Sequence, residues 1–398
     1  MSILSSKKEQ SPDKLPLFSL LAFSMASFIC IMTETVPAGL LPQISKDLNV
    51  SNSYAGQLVT MYAIGSFVAA IPVTLATQRW RRKPLFLFAI VLFFVLNSVT
   101  ALSSSYVITL VARFIAGVGA GIVWSMLAGY ARRLVPEHLK GRATAIVFAG
   151  TPIALSIGVP LGSFLGSFIG WRSVFIIMSL LTLILIVWII VIVPDFSGVS
   201  KSTHVSLFSV LKIRGVMPIL SVVLLWMVSH NILYTYIAVF LEATGLEISV
   251  GTVLLVFGIL SIVGIGITGL FVDTNMRLLV LLSLSGFLLT ALLLHFFDNN
   301  LILIFTGIIF WGLTFGGAAT LIQTALAQAV GETNVDVAMS ISATSWNMAI
   351  AGGGVIGGIL FDYIGTSSFP ITIILLMVIA FFIAFYNEKY AFPPSKQL

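Results

Sequence analysis

The sequence predicts an all-α polytopic membrane protein with twelve transmembrane helices in two pseudo-symmetric six-helix bundles. Composition is the first reason: of 398 residues, 59% are hydrophobic and 9% charged, whereas a soluble globule carries about a quarter charged residues. Spacing is the second. Apolar runs of about 20 residues or more recur between short polar breaks, the helix length that crosses roughly 30 Å of hydrocarbon. A β-barrel is excluded, since its strands would alternate apolar and polar residues over about ten positions. The third reason is an internal repeat across the midpoint of the chain.

In the first half the predicted spans are 16–44, 54–77, 85–103, 106–131, 143–169 and 172–193. The first runs through TETVPAGLLP although it carries Glu34, and SKDLNVSNS separates it from the second. The basic run TQRWRRK ends the second, SSS the third, RRLVPEHLKGR the fourth and GWR the fifth. The longest polar stretch, 194–214, is rich in Ser and basic residues and reads as a linker between two units, 1–193 and 215–398. In the second half the spans are 215–241, 250–271, 278–297, 301–328, 338–361 and 367–387, divided by EATGLEIS, DTNMR, FDNN, GETNVD and GTSS.

Charge placement orients the chain. With twelve spans and both termini in the cytoplasm, 17 of the 20 Lys and Arg fall inside, Lys46 and Arg172 outside, and Arg113 within a span. The net charge of +6 is therefore a topology signal with contacts to anionic lipid, and nucleic acid is not an expected partner. The single cysteine, Cys30, has no partner for an internal disulfide. The first apolar run is too long for the core of a cleaved signal peptide and reads as an uncleaved span. Four His and one Cys lack ligand spacing, and no phosphate-binding glycine loop is present, so no metal, cofactor or ATP motor is expected, nor an enzyme.

Three segments repeat at a nearly constant offset. Val73–Lys83 corresponds to Gly269–Arg277 at 196 residues, Arg113–Gly121 to Phe310–Ala318 at 197, and Gly158–Gly170 to Gly353–Gly365 at 195. Two homologous halves with a site between them near the midplane is a recurring transporter plan.

Glu34 is the anomaly in the first span, because a charge at mid-membrane costs roughly 2.5 to 3.5 kcal/mol on insertion scales and usually marks an ion or substrate path. Depth arithmetic puts Glu34 and Arg113 roughly 10 to 15 Å below the outer surface, within reach of a direct or water-bridged pair. Two readings stay open: a carboxylate that exchanges its proton as Arg113 or substrate approaches, or a static pair that fixes packing. Ser24, Ser27, Ile31 and Glu34 recur at helical spacing, and Ser27 is a candidate substrate contact. In the seventh span Trp226, His230 and Tyr234 stand at i, i+4 and i+8, with Asn231 beside them. His230 reads as a titrating group, a hydrogen-bonding ligand or a packing residue. Trp124, Gln323, Trp346 and Asn347 complete the candidate substrate contacts. The Gly-rich runs of the fourth and eleventh spans let helices approach closely.

At these motifs the chain resembles the major facilitator superfamily, and within it the twelve-span drug:proton antiporters, with sugar and arabinose efflux transporters the nearest look-alikes. Thr33–Leu48 resembles that group's first span, and RFIAGVGAG its fourth-helix motif with Arg113. Gly150, Gly158, Pro160 and Gly162 match the fifth-helix antiporter motif, with Ser163 where a second Gly is usual. His230–Phe240 and Asn334–Gly353 are similar to the sugar-efflux subgroup. The loop after the second span departs from the family, with Thr77 at the Asp position and Val73 and Trp80 at the Gly positions. Arg81 and Arg82 remain, and the second half keeps Gly269, Asp273 and Arg277. The resemblance implies alternating access in a monomer of the cell membrane, exporting sugars, sugar-like compounds or drugs in exchange for protons. Glu34 would carry the proton and Arg113 tune it. An uncoupled facilitator or importer, a multidrug exporter without sugar transport, and a non-transporting receptor are the competing classes.

Overall fold

The computed structural model describes residues 15–70, 72–77, 79–136, 139–197, 207–331 and 334–393, so most of the expected linker, 198–206, lies outside the described residues. The described chain is helical throughout. In the first half run α1 (Leu17–Gly39), α2 (Leu41–Leu48), α3 (Asn52–Ala70), α4 (Pro72–Thr77), α5 (Arg82–Leu102), α6 (Tyr106–Arg133), α7 (Lys140–Phe148), α8 (Gly150–Ile153), α9 (Val159–Ile169) and α10 (Trp171–Ile192). The second half holds α11 (Leu207–Leu211), α12 (Val216–Thr235), α13 (Ile237–Ala243), α14 (Val250–Phe296), α15 (Leu301–Gly316), α16 (Ala318–Val330), α17 (Val335–Tyr363) and α18 (Ser368–Tyr386).

Ten helical stretches among the described residues are long and apolar enough to cross a membrane. One of them, α14, has 47 residues, about 70 Å at 1.5 Å per residue and so two membrane thicknesses. Asn275 breaks it with non-helical φ −137° and ψ 31°, which separates the expected eighth and ninth spans. Outward-facing Leu180, Ile184, Val187 and Val191 on α10 are at least half exposed, a stripe suited to hydrocarbon.

The first and seventh predicted spans break at equivalent points. The first stops at Leu40 (φ −117°, ψ 9°) and the seventh at Tyr236 (φ −108°, ψ 16°), 196 residues later and in nearly the same conformation. Pro42 accounts for the first break, since it lacks an N–H and its ring crowds the carbonyl four residues back. The halves therefore repeat in backbone detail as well as in sequence.

Helix contacts also correct the register of that repeat. A Cβ on Gly65 would overlap the Phe114 carbonyl, and one on Gly117 the Tyr62 carbonyl. Gly264 meets the Leu313 carbonyl and Gly316 the Ser261 carbonyl in the same way, each 199 residues later. Spans two and four thus match spans eight and ten at 199, against the 196 and 197 read from the sequence. Glycine patterns align equally well at neighbouring offsets, whereas backbone-to-backbone contact admits one register.

The halves close on each other at the ends that the charge pattern assigns to the outside, opposite the side with most basic residues. Here α3 packs on α17, and α14 packs on α9 and on the π-helical turn Ala154–Gly158. The Tyr236 hydroxyl donates to the Gly354 carbonyl at 3.0 Å and to the Ser53 carbonyl at 3.4 Å, and Gln57 Nε2 reaches the Gly354 carbonyl at 3.4 Å. A small apolar cluster of Val59, Ala63 and Ile350, with Trp346 against it, lies below this seal. Toward the inner end Ser125, Gly129, Gln323, Ser340 and Ala343 are exposed. The described conformation is closed at the first of these ends and open at the other.

Charged clamps tie each half to itself at the inner end. Arg81 Nε meets Asp195 Oδ2 at 2.6 Å, and the same carboxylate accepts the Lys83 backbone N–H at 3.0 Å. Arg277, 196 residues after Arg81, meets Glu388 at 3.2 Å and donates to the carbonyls of Ala384, Phe385 and Phe392. Asp273, kept where the family pattern has an Asp, is exposed, and Arg277 turns to Glu388 instead. Gly269 has open space around it. Asp195→Asn is expected to change thermal stability by less than about 1 kcal/mol, because Arg81 is 75% exposed and an exposed pair is screened. A melting curve in detergent measures this.

Candidate functional site

The site is built by α1 and α12, the two most buried spans at 61% and 67% of their cores. Glu34 is 7% exposed and is the only buried carboxylate among the described residues, while Arg113 on α6 is fully buried. Their geometry differs from the expected charge pair. Arg113 Nη2 donates to the backbone carbonyl of Glu34 at 3.4 Å, and Nε to the carbonyl of Leu58 at 3.3 Å. Its guanidinium lies over the Tyr62 ring at 4.9 Å and the Phe175 ring at 5.9 Å, and Nη1 is sealed without a partner. No ion pair within 4.0 Å joins the Glu34 carboxylate to it. The cation is thus held by carbonyls and aromatic faces, which leaves the carboxylate uncommitted.

The polar stripe read on the first span is corrected as well. The open side of α1 carries Leu21, Met25, Phe28, Ile31 and Thr35, so Ile31 alone of that stripe shares it. Ser27 is fully buried and donates at 2.8 Å to the Val147 carbonyl of α7 and to the Ser24 carbonyl. It fastens the first span to the fifth and has no free donor for substrate. Gly158 and Gly162 face α1, where a Cβ on Gly158 would overlap Met32, and the Pro160 carbonyl approaches Gly251 of α14. Span five is thereby packed against its own half and against the other.

On the opposite half His230 sits in an aromatic cluster. Trp311 Nε1 donates to His230 Nδ1 at 3.1 Å, Phe315 stacks on the ring at 3.5 Å and Tyr234 at 5.2 Å. Each such pair contributes about 0.5 to 1.5 kcal/mol beyond area burial. The Tyr234 hydroxyl is sealed without a hydrogen bond of sound geometry, close to Thr35 of α1. Asn231 donates to the Met227 carbonyl at 2.8 Å and packs under Gly353 of α17. Nδ1 of His230 is thus occupied as the acceptor for Trp311.

The remaining candidates are dispersed. Trp124 stacks on Phe148 with 6.0 Å between ring centroids. Gln323 is exposed on α16, and Asn347 donates to the Ala343 carbonyl of its own helix at 3.0 Å. Arg82 donates its backbone N–H to the Phe196 carbonyl at 2.8 Å. Sequence reasoning missed Trp311 and Tyr236. A Trp or Tyr away from the interfacial belts needs a partner for its N–H or O–H when buried, and that signal was present in both.

Two helical bundles sealed on one side and open on the other define a multi-pass membrane transporter. The sequence profile of the Major Facilitator Superfamily matches residues 23–330, and the chain belongs to that superfamily, as an efflux-type transporter. It is similar to the purine ribonucleoside efflux pump NepI of Escherichia coli K12, 31% identical over 368 residues that cover 90% of each chain. The NepI of Shigella flexneri is 31% identical, and that of E. coli UTI89 32%, over the same length and share.

Proposed function

We propose that this protein exports purine ribonucleosides and related sugar-bearing neutral solutes across the cell membrane in exchange for protons. The observation that carries the reading is the Glu34 carboxylate, buried beside the open side of α1, near Tyr234 of the other half and without a cationic partner within 4.0 Å. With the outer side open the carboxylate takes up a proton as substrate leaves. With the inner side open it releases the proton, and the negative charge is steadied by the nearby Arg113 while substrate enters. The same site alternates between two aqueous phases, so the two fluxes are coupled. Substrate class is supported by the relatives and by a cavity with few charges, where a phosphorylated solute would call for clustered Arg or Lys. A nucleoside joins a pentose, which the resemblance to sugar exporters implies, to a planar base suited to an aromatic wall. The protein works as a monomer with both termini in the cytoplasm.

The test is flux in proteoliposomes loaded in turn with purine ribonucleosides, free pentoses and cationic drugs, with a pH probe. An imposed proton gradient is expected to drive nucleoside against its concentration difference, with proton movement in the opposite direction. Flux that only equalises concentrations, whatever the gradient, leaves an uncoupled facilitator. Drug transport without nucleoside or pentose flux overturns the substrate class.

A further inference from the structure

We propose that His230 serves the transporter as a fixed hydrogen-bond donor to substrate through Nε2–H, and that Trp311 is the positioning residue that locks it in this form. The indole N–H of Trp311 is a donor only, and it points at His230 Nδ1 across 3.1 Å. A ring nitrogen that accepts a hydrogen bond carries no proton, so the proton of the neutral imidazole stands on Nε2. Charging the ring would set a second N–H against the indole N–H and lose the bond.

Every other approach to the ring is occupied. Phe315 covers one face, with interplanar angle 7° and 3.5 Å between centroids, and Tyr234 lies stacked at 5.2 Å and 30°. With Phe257 and Trp311 also within 5.8 Å of the ring, the edge at Nε2 is what His230 offers a substrate. Nε2 has no partner among the described residues and is not among their sealed polar atoms, while the residue keeps 7% of its surface open. His230 shares its helix face with Tyr234, one turn on, whose hydroxyl lies close to Thr35 of α1 across the boundary between the halves. Trp311 is itself rigidly placed: it is fully buried, 4.4 Å from Phe257 and stacked on Phe287 at 6.3 Å.

A second relation gives the donor its meaning. His230 follows Glu34 by 196 residues, the offset that relates the breaks at Leu40 and Tyr236. At equivalent points one half thus presents an acceptor carboxylate and the other a donor imidazole. A solute with hydroxyl donors and in-plane ring-nitrogen acceptors matches both. Resting on the purine ribonucleoside reading, the inference assigns His230 to an acceptor atom of the base.

The lock is tested by nitrogen-15 NMR of histidine-labelled full-length protein in nanodiscs. Replacing His138, His204 and His295 by Gln leaves His230 as the one histidine of the four. The neutral Nε2–H tautomer is expected at pH 7, becoming mixed in Trp311→Phe; an Nδ1–H tautomer, or one unmoved by that variant, overturns the proposal. The donor is tested by binding of adenosine and its 1-, 3- and 7-deaza analogues. One deaza analogue should bind the wild type about tenfold more weakly, the worth of one hydrogen bond, and this loss should vanish in His230→Phe. His230→Gln, whose amide N–H mimics Nε2–H, should retain affinity within about threefold, whereas His230→Asn should not. Equal binding of all the analogues by the wild type, or loss of proton coupling in His230→Gln, overturns the donor role. If no purine nucleoside binds while the tautomer lock holds, the substrate class falls and the lock stands.

Discussion

In Glu34→Gln, proton-driven accumulation of substrate is expected to fall to the level of empty vesicles, while substrate binding and concentration-driven exchange persist. The amide keeps the size and the hydrogen-bonding oxygen of the carboxylate but cannot exchange a proton. No other buried carboxylate among the described residues can take over that role. The same variant separates the two readings of the Glu34 and Arg113 pair. A static pair would leave a buried cation stripped of its counter-charge, a loss of about 3 to 5 kcal/mol. Arg113 instead hydrogen-bonds the Glu34 and Leu58 carbonyls and lies over two aromatic rings, so Glu34→Gln should melt within about 1 kcal/mol of the wild type. Arg113→Gln, which loses the stacking and the charge-assisted bonds, should cost about 2 to 4 kcal/mol. Full proton coupling in Glu34→Gln would remove the proposed mechanism, and a collapse of its stability would restore the static pair.

The second large effect is expected at the outer seal. A Cβ on Gly354 would overlap the Thr60 hydroxyl across the boundary between halves, and one on Gly358 comes within 2.8 Å of Ser53 Oγ and of the Tyr236 hydroxyl. Gly354→Val therefore wedges α17 away from α3, where the nearest atoms to the new side chain all belong to Thr60 of the other half. The protein should fold and bind substrate from outside, yet fail to close there. Transport should drop at least about tenfold, the result of roughly 1.4 kcal/mol or more against the sealed state. A cysteine placed at Gln57, in a chain with Cys30 replaced, should become accessible to a membrane-impermeant thiol reagent from the outer side. An unchanged labelling rate would show that the seal tolerates the added volume. Thr60→Ala in the same chain should partly restore transport, because it removes the atom that the new side chain meets.

Much of the site was visible before folding, though not its pairings. Glu34 stood out because a carboxylate in an apolar span has few inexpensive places to go. Arg113 was placed at the level of Glu34, since residue count and helix rise fix relative height along packed helices. Their contact was not legible, because depth says nothing about which atoms of two neighbouring side chains meet. Ser27 shows the same limit, since its helical spacing from Glu34 was real but its hydroxyl is spent on the Val147 carbonyl. His230 is the sharper case: three roles fitted its position, and the contact that bears on them comes from a Trp on another helix.

What the sequence by itself determined is the class and its plan: twelve apolar spans, a basic inner side, two repeated halves, and one acid at the level where they meet. These follow from hydrophobicity, helix length and charge placement, which act locally or add along the chain; the sidedness is what the charge pattern predicts. Only the tertiary structure decided the register of the repeat, the breaks at Leu40 and Tyr236, the clamps through Asp195 and Glu388, and the freedom of the Glu34 carboxylate. Each depends on contacts between residues far apart in sequence, where a shift of one or two ångströms exchanges one partner for another. A linear pattern of residue types does not carry that information.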